Sequence, residues 1–100
     1  MKWLVTTLFV LTFMWDYPTG TAIGGFDLKI GPHGGPYVVT PTGHITDPAA
    51  RTASDTPPAG LTCYVVTAFA TNPNDPSGTL ESPPSNEVCV LTGPLNLHVQ

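Results

Sequence analysis

Two cysteines, Cys63 and Cys89, bracket the stretch that most constrains this chain. The first opens the run Cys63-Tyr64-Val65-Val66-Thr67-Ala68-Phe69. The second lies in Pro84-Ser85-Asn86-Glu87-Val88-Cys89-Val90, after a Pro/Asn/Gly-rich loop. The first run alternates with period two and is rich in β-branched and aromatic residues, and the second alternates too after its turn residues, which predicts two strands of a hairpin. Successive strand side chains point to opposite faces, so Tyr64, Val66 and Ala68 share one face while Cys63, Val65 and Thr67 share the other. Val88 and Val90 are expected to face the core, which turns Cys89 away from it, as Cys63 is. If the strands pair antiparallel with the cysteines opposite, their Cβ atoms lie roughly 4.5–5.5 Å apart, within reach of a cross-strand disulfide. Closing that loop constrains the unfolded chain by roughly 3–3.5 kcal/mol in the chain-entropy model, and such a bond implies an oxidising, extracellular place of work.

At these residues the chain resembles the fibronectin type III domain, in its bacterial and phage form. "YVVTAF" followed by "ESPPSNEVCV" is similar to that family's last two strands. Trp15-Asp16-Tyr17-Pro18-Thr19-Gly20 resembles its second strand and exit turn, and Ile23-Gly24-Gly25-Phe26-Asp27-Leu28-Lys29-Ile30-Gly31 its third. The resemblance runs from about residue 9 to residue 91. It implies a β-sandwich of about seven antiparallel strands, non-catalytic and used for adhesion, spacing or display. It also implies a tyrosine corner at the penultimate strand, where Thr62 stands in one alignment and Tyr64 in another shifted by two residues. The family's fifth strand is expected near Arg51 to Thr56.

Composition agrees with an all-β fold. One hundred residues suit one domain able to bury its own core, and twelve prolines and ten glycines mark many turns. No window outside the N-terminus carries a helical apolar stripe with caps. Strands are expected at about Leu8 to Trp15, Gly25 to Ile30, Tyr37 to Thr40, Thr62 to Ala70 and Glu87 to Leu91, with a weak one between His44 and Ala53. The core is expected to draw on Phe13, Trp15, Phe26, Leu28, Ile30, Tyr64, Val66, Val88 and Val90. The domain is placed at residues 1–92, with 93–100 as a tail. Lys2, Lys29 and Arg51 are the only Lys and Arg residues in a chain of net charge -4. Three scattered cations cannot form the basic stripe that phosphate neutralisation requires, so nucleic acid is set aside as a partner.

The N-terminus admits two readings. Lys2, the apolar run from Trp3 to Trp15 and then Gly20-Thr21-Ala22 resemble a secretory signal peptide spanning 1–22. Alternation of Leu11, Phe13 and Trp15 with Val10, Thr12 and Met14 instead reads as a core strand, and fold-level consistency favours keeping it. The run is shorter than the ~20 residues that span a bilayer, so no membrane span is expected. As a strand, it leaves Val10, Thr12 and Met14 on an outward face more apolar than solvent favours. Residues 1 to 7 would cover that face as a short first strand, or another subunit would.

Chemical candidates are few. Two thiols 26 positions apart match no zinc pattern, and His33, His44 and His98 have no carboxylate or cysteine at ligand spacing in the sequence, so no metal or cofactor is expected. No nucleophile elbow surrounds a serine. Glycines 24, 25, 31, 34 and 35 lack the order of a phosphate-binding loop and read as turns. The Asn72 to Gly78 loop is read as a solvated hairpin connection, and Asn72, Asn74, Asp75 and Ser77 join Val10, Thr12 and Met14 as candidate contact residues. The function expected is a binding or structural module acting by surface contact, as a virion decoration or appendage subunit of phage type that joins copies of itself or a larger assembly. The alternative is a small secreted bacterial adhesion module for a protein or a glycan.

Overall fold

A computed structural model of the chain describes residues 10–93 and 97–99. It is all-β. Seven strands follow in order: β1 (Leu11–Met14), β2 (Gly25–Gly31), β3 (Val38–Ile45), β4 (Thr52–Asp55), β5 (Gly60–Asn72), β6 (Asp75–Glu81) and β7 (Val88–Thr92). All pairings are antiparallel, and they form two sheets. The small sheet pairs β1 with β4. The large one runs β3-β2-β5-β6, with β7 also on β5.

β5 organises the large sheet because its thirteen residues are long enough to take two partners end to end along one edge. β6 pairs with its C-terminal end and β7 with its N-terminal end. Pro83 and Pro84 lie between them and have no N–H to give a ladder. Serines fill the gap. Ser82 Oγ accepts from Ala68 N and Ser85 Oγ from Val66 N, both at 2.9 Å. Ser82 N and Ser85 N in turn donate to Ala68 O and Val66 O.

The inner face of the large sheet carries the core. Phe26 and Leu28 on β2 and Tyr64 and Ala68 on β5 are buried. Phe13 packs on Tyr64 with ring centroids 4.4 Å apart, while Trp15 and Tyr17 each lie 5.3 Å from Phe26. Arg51 closes the cluster, its guanidinium 5.4 Å from the Phe26 centroid and bonded to the carbonyls of Tyr17, Pro48 and Ala50. Cleavage after Ala22 would remove Phe13, Trp15 and Tyr17 and leave β4 without the strand it pairs with.

Several sequence expectations need correction. Trp15 is half-buried rather than central and packs on Phe26, whereas Phe13 is the ring on Tyr64. Val88 shares the inward parity of Tyr64 but is 45% exposed, because the small sheet, two-stranded among the described residues, does not reach over β7. The weak strand expected between His44 and Ala53 is replaced by two elements. β3 continues through His44 to Ile45 across a bulge that accommodates Pro41, and β4 begins at Thr52. Asp75 and Ser77, expected in a loop, lie on β6. A covering strand from residues 1 to 7 falls outside the described residues, as does part of the tail. Among the described residues, no helix is long and apolar enough to cross a membrane.

Candidate functional site

The open side of the small sheet holds the first group of candidate residues. Val10 is 63% exposed and Met14 80%, and both share the outer face of β1 with Thr12. Thr12 Oγ1 lies 3.0 Å from Ser54 Oγ on β4, its cross-strand partner. β1 is hydrogen-bonded along one edge only among the described residues. Beside its other edge lies an open cleft of about 290 Å³ between the sheets, lined by Phe13, Trp15, Leu28, Tyr64, Val66 and Val88. Tyr64 spans this cleft and donates its hydroxyl to Asp55 Oδ2 at 2.7 Å. Burial first, and then this bond, push the phenol far above its ordinary value.

The second group lies on the other sheet. Asn72 and Asp75 are register partners around a Pro73-Asn74 turn. Asn72 Oδ1 accepts from Asn74 N at 2.9 Å, and Asp75 Oδ1 accepts from Ser77 Oγ at 2.7 Å. These side chains are spent on holding their own turn. The fold therefore leaves the two groups on separate sheets.

The disulfide is present, with Sγ atoms 2.09 Å apart and Cys63 opposite Cys89 in the β5–β7 register. Parity places both on the outer face of the large sheet, but Cys63 is fully buried there, as are Val65 and Thr67. Polar side chains of the same sheet roof this face. Lys29 on β2 reaches across β5 to Glu81 on β6 at 2.5 Å, and Thr67 donates to Glu81 Oε2 at 2.9 Å. At the disulfide stand His33 and Glu87, with atoms within 4.8 Å of both sulfurs, and Tyr37 bonds Glu87.

That trio is what the sequence reading missed. His33 Nδ1 lies 2.5 Å from Glu87 Oε1, and Cys89 Sγ lies 3.3 Å from the same oxygen. Glu87 Oε2 accepts from Gly34 N at 2.8 Å and from the Tyr37 hydroxyl. His33 and Glu87 are 54 positions apart, so no spacing rule joins them. The available signal is indirect: Gly31 pairs with Cys63, which pairs with Cys89, so the turn after β2 must end over the disulfide. His44 likewise has a carboxylate that its sequence neighbours do not supply, Asp27 Oδ1 at 2.6 Å, and stacks on Phe69 at 4.7 Å.

Two of these carboxyls carry a pH signature. The bond from Tyr37, then those from Gly34 and His33, hold Glu87 below the ordinary glutamate value of 4.5. Lys29, then Thr67, hold Glu81 below it as well. With both pKa values depressed by folding, the unfolded chain binds more protons in the window beneath 4.5. Their stabilisation is complete at neutral pH and is lost as pH falls through the folded-state values. Carboxyl NMR titration should place both midpoints below 4.5, and Lys29→Met should return Glu81 toward it. A Glu81 midpoint indifferent to Lys29→Met would contradict the ion pair.

No family model, curated protein or solved structure matches this chain.

Proposed function

We propose that this protein is a non-catalytic module acting by surface contact, a repeated subunit of an extracellular assembly such as a phage-type virion decoration or appendage, joined to a second copy of itself along β1. The observation that carries the reading is that β1 is paired along one edge only among the described residues, with Val10 and Met14 exposed beside it. A strand edge with unsatisfied N–H and C=O groups templates another strand. An antiparallel strand can pair with its own copy across a twofold axis, so no second kind of chain is needed. Only 10% of residues are charged, which leaves little electrostatic repulsion at such a contact.

The fibronectin type III reading is part of the same proposal. Pairing of β1 with β4 in one sheet, and of β2, β5 and β7 in the other, supports it, because immunoglobulin-like sandwiches divide their strands this way. The Tyr64 hydroxyl departs from the family pattern by meeting a side chain rather than backbone. Glycan binding has less support. The polar cleft around Asp27, His44, Phe69 and Glu81 has both carboxylates already bonded to protein partners.

Sedimentation at high protein concentration tests the assembly. A dimer or larger species is expected, and Val10→Asp or Met14→Asp should weaken it by at least about tenfold, about 1.4 kcal/mol, with unchanged circular dichroism. A chain that stays monomeric at the highest attainable concentration overturns the reading and leaves residues 1 to 7 as the cover for β1.

A further inference from the structure

The disulfide and its polar roof bring four donor atoms of unlike chemistry together: Cys63 Sγ, Cys89 Sγ, His33 Nδ1 and Glu87 Oε1, all within 4.8 Å of one another. They come from distant parts of the sequence. Cys63 lies on β5, Glu87 just before β7, Cys89 on β7, and His33 in the turn after β2. That turn is built for its position. Gly35 N donates to Pro32 O at 2.8 Å, and Gly34 and Gly35 take φ of 83° and 86°, a region other residues rarely enter. While the sulfurs are bonded to each other neither can serve as a thiolate ligand. Reduction changes the donor set to two thiols, an imidazole and a carboxylate.

We propose that the dithiol form of this chain binds one zinc ion through Cys63, Cys89, His33 and Glu87. Zinc favours four tetrahedral ligands from these residue types, at about 2.3 Å to sulfur and 2.0–2.2 Å to nitrogen and oxygen. Such bond lengths set ligand atoms about 3.3–3.8 Å apart. The Cys89 Sγ to Glu87 Oε1 distance of 3.3 Å already meets this, and the His33 to Glu87 distance of 2.5 Å must open modestly. Glu87 is also oriented from behind. Gly34 N and the Tyr37 hydroxyl both bond Oε2 and leave Oε1 directed at the cluster. Outer partners of this kind are what hold a ligating carboxylate in place.

The chemistry balances in two steps. A dithiol or phosphine reductant transfers two electrons to the disulfide, two protons are taken up, and two thiols form while the reductant is oxidised. Zinc binding then releases those two protons, because thiolates are the ligands. Cys89 gives a reductant its entry, since its side chain is exposed while Cys63 is covered. The site is independent of assembly along β1, which lies on the other sheet.

The test is anaerobic titration of the full chain with cobalt(II), after reduction by a water-soluble phosphine, followed by competition with zinc. The reduced chain should bind one equivalent, with the intense visible bands of tetrahedral cobalt and a thiolate-to-cobalt charge-transfer band. The oxidised chain should show neither. His33→Ala and Glu87→Gln should each abolish the tetrahedral spectrum, while Tyr37→Phe, which removes an outer partner and no ligand, should weaken affinity by about 10–100-fold. Zinc should also raise the melting temperature of the reduced chain and leave the oxidised one unmoved. Absence of tetrahedral bands in a folded reduced chain overturns the proposal. So does a reduced chain that zinc fails to refold, or equal affinity in the His33→Ala, Glu87→Gln double variant.

Discussion

Phe26→Ala should destabilise the fold by about 3–5 kcal/mol, the range for truncating a large buried aromatic. Phe26 is 1% exposed and is the ring on which Trp15, Tyr17 and Arg51 converge, so its removal opens a cavity between the sheets that no neighbour is free to fill. Domains of this size hold about 5–15 kcal/mol in total, so the variant should sit near the edge of unfolding. Urea denaturation followed by tryptophan fluorescence measures the loss directly. Trp15→Ala should cost less than Phe26→Ala, because Trp15 is half-buried and borders the cleft. The reverse order would move the centre of the core to β1.

What the sequence disclosed follows from how local each signal is. β2, β5 and β7 announce themselves because alternating apolar residues line their inner face, and parity puts Cys63 and Cys89 on one face, where the register then sets them opposite. β4 does not. Thr52-Ala53-Ser54-Asp55 has no apolar alternation, and it is a strand because β1 pairs with it along all four residues. β6 contains Pro76 and Gly78, which read as loop signals, yet it continues an extended hairpin on an edge where neither residue is excluded. Burial of Cys63 on the outer face was equally hidden, since its cover comes from residues more than twenty positions away in each direction. For the candidate site, outward placement of Val10 and Met14 was legible from period two. The grouping of His33, Tyr37 and Glu87 was not, because it exists only once three strands are in register.

Loss of the disulfide is the second large effect expected, and it should fall on one strand before the rest. In a Cys63→Ala, Cys89→Ala double variant, freeing a loop of sequence separation 26 should cost roughly 3–3.5 kcal/mol in the chain-entropy model. β7 has β5 as its only strand partner among the described residues, and it is poorly covered on both faces, with Val88 on the inner face and Leu91 on the outer one both exposed. Little else resists its departure. β2 and β5 share seven register pairs and the buried core residues, so they should hold together until global unfolding. Hydrogen exchange should therefore accelerate at Val90 to Thr92 while protection persists across the β2–β5 ladder. In the native oxidised chain alkylation should label neither cysteine, and on gradual reduction Cys89 should react before Cys63, whose sulfur emerges only when β7 lifts. Equal labelling rates, or exchange that rises uniformly over both sheets, would mean that the bond stabilises the whole sandwich rather than pinning its weakest strand.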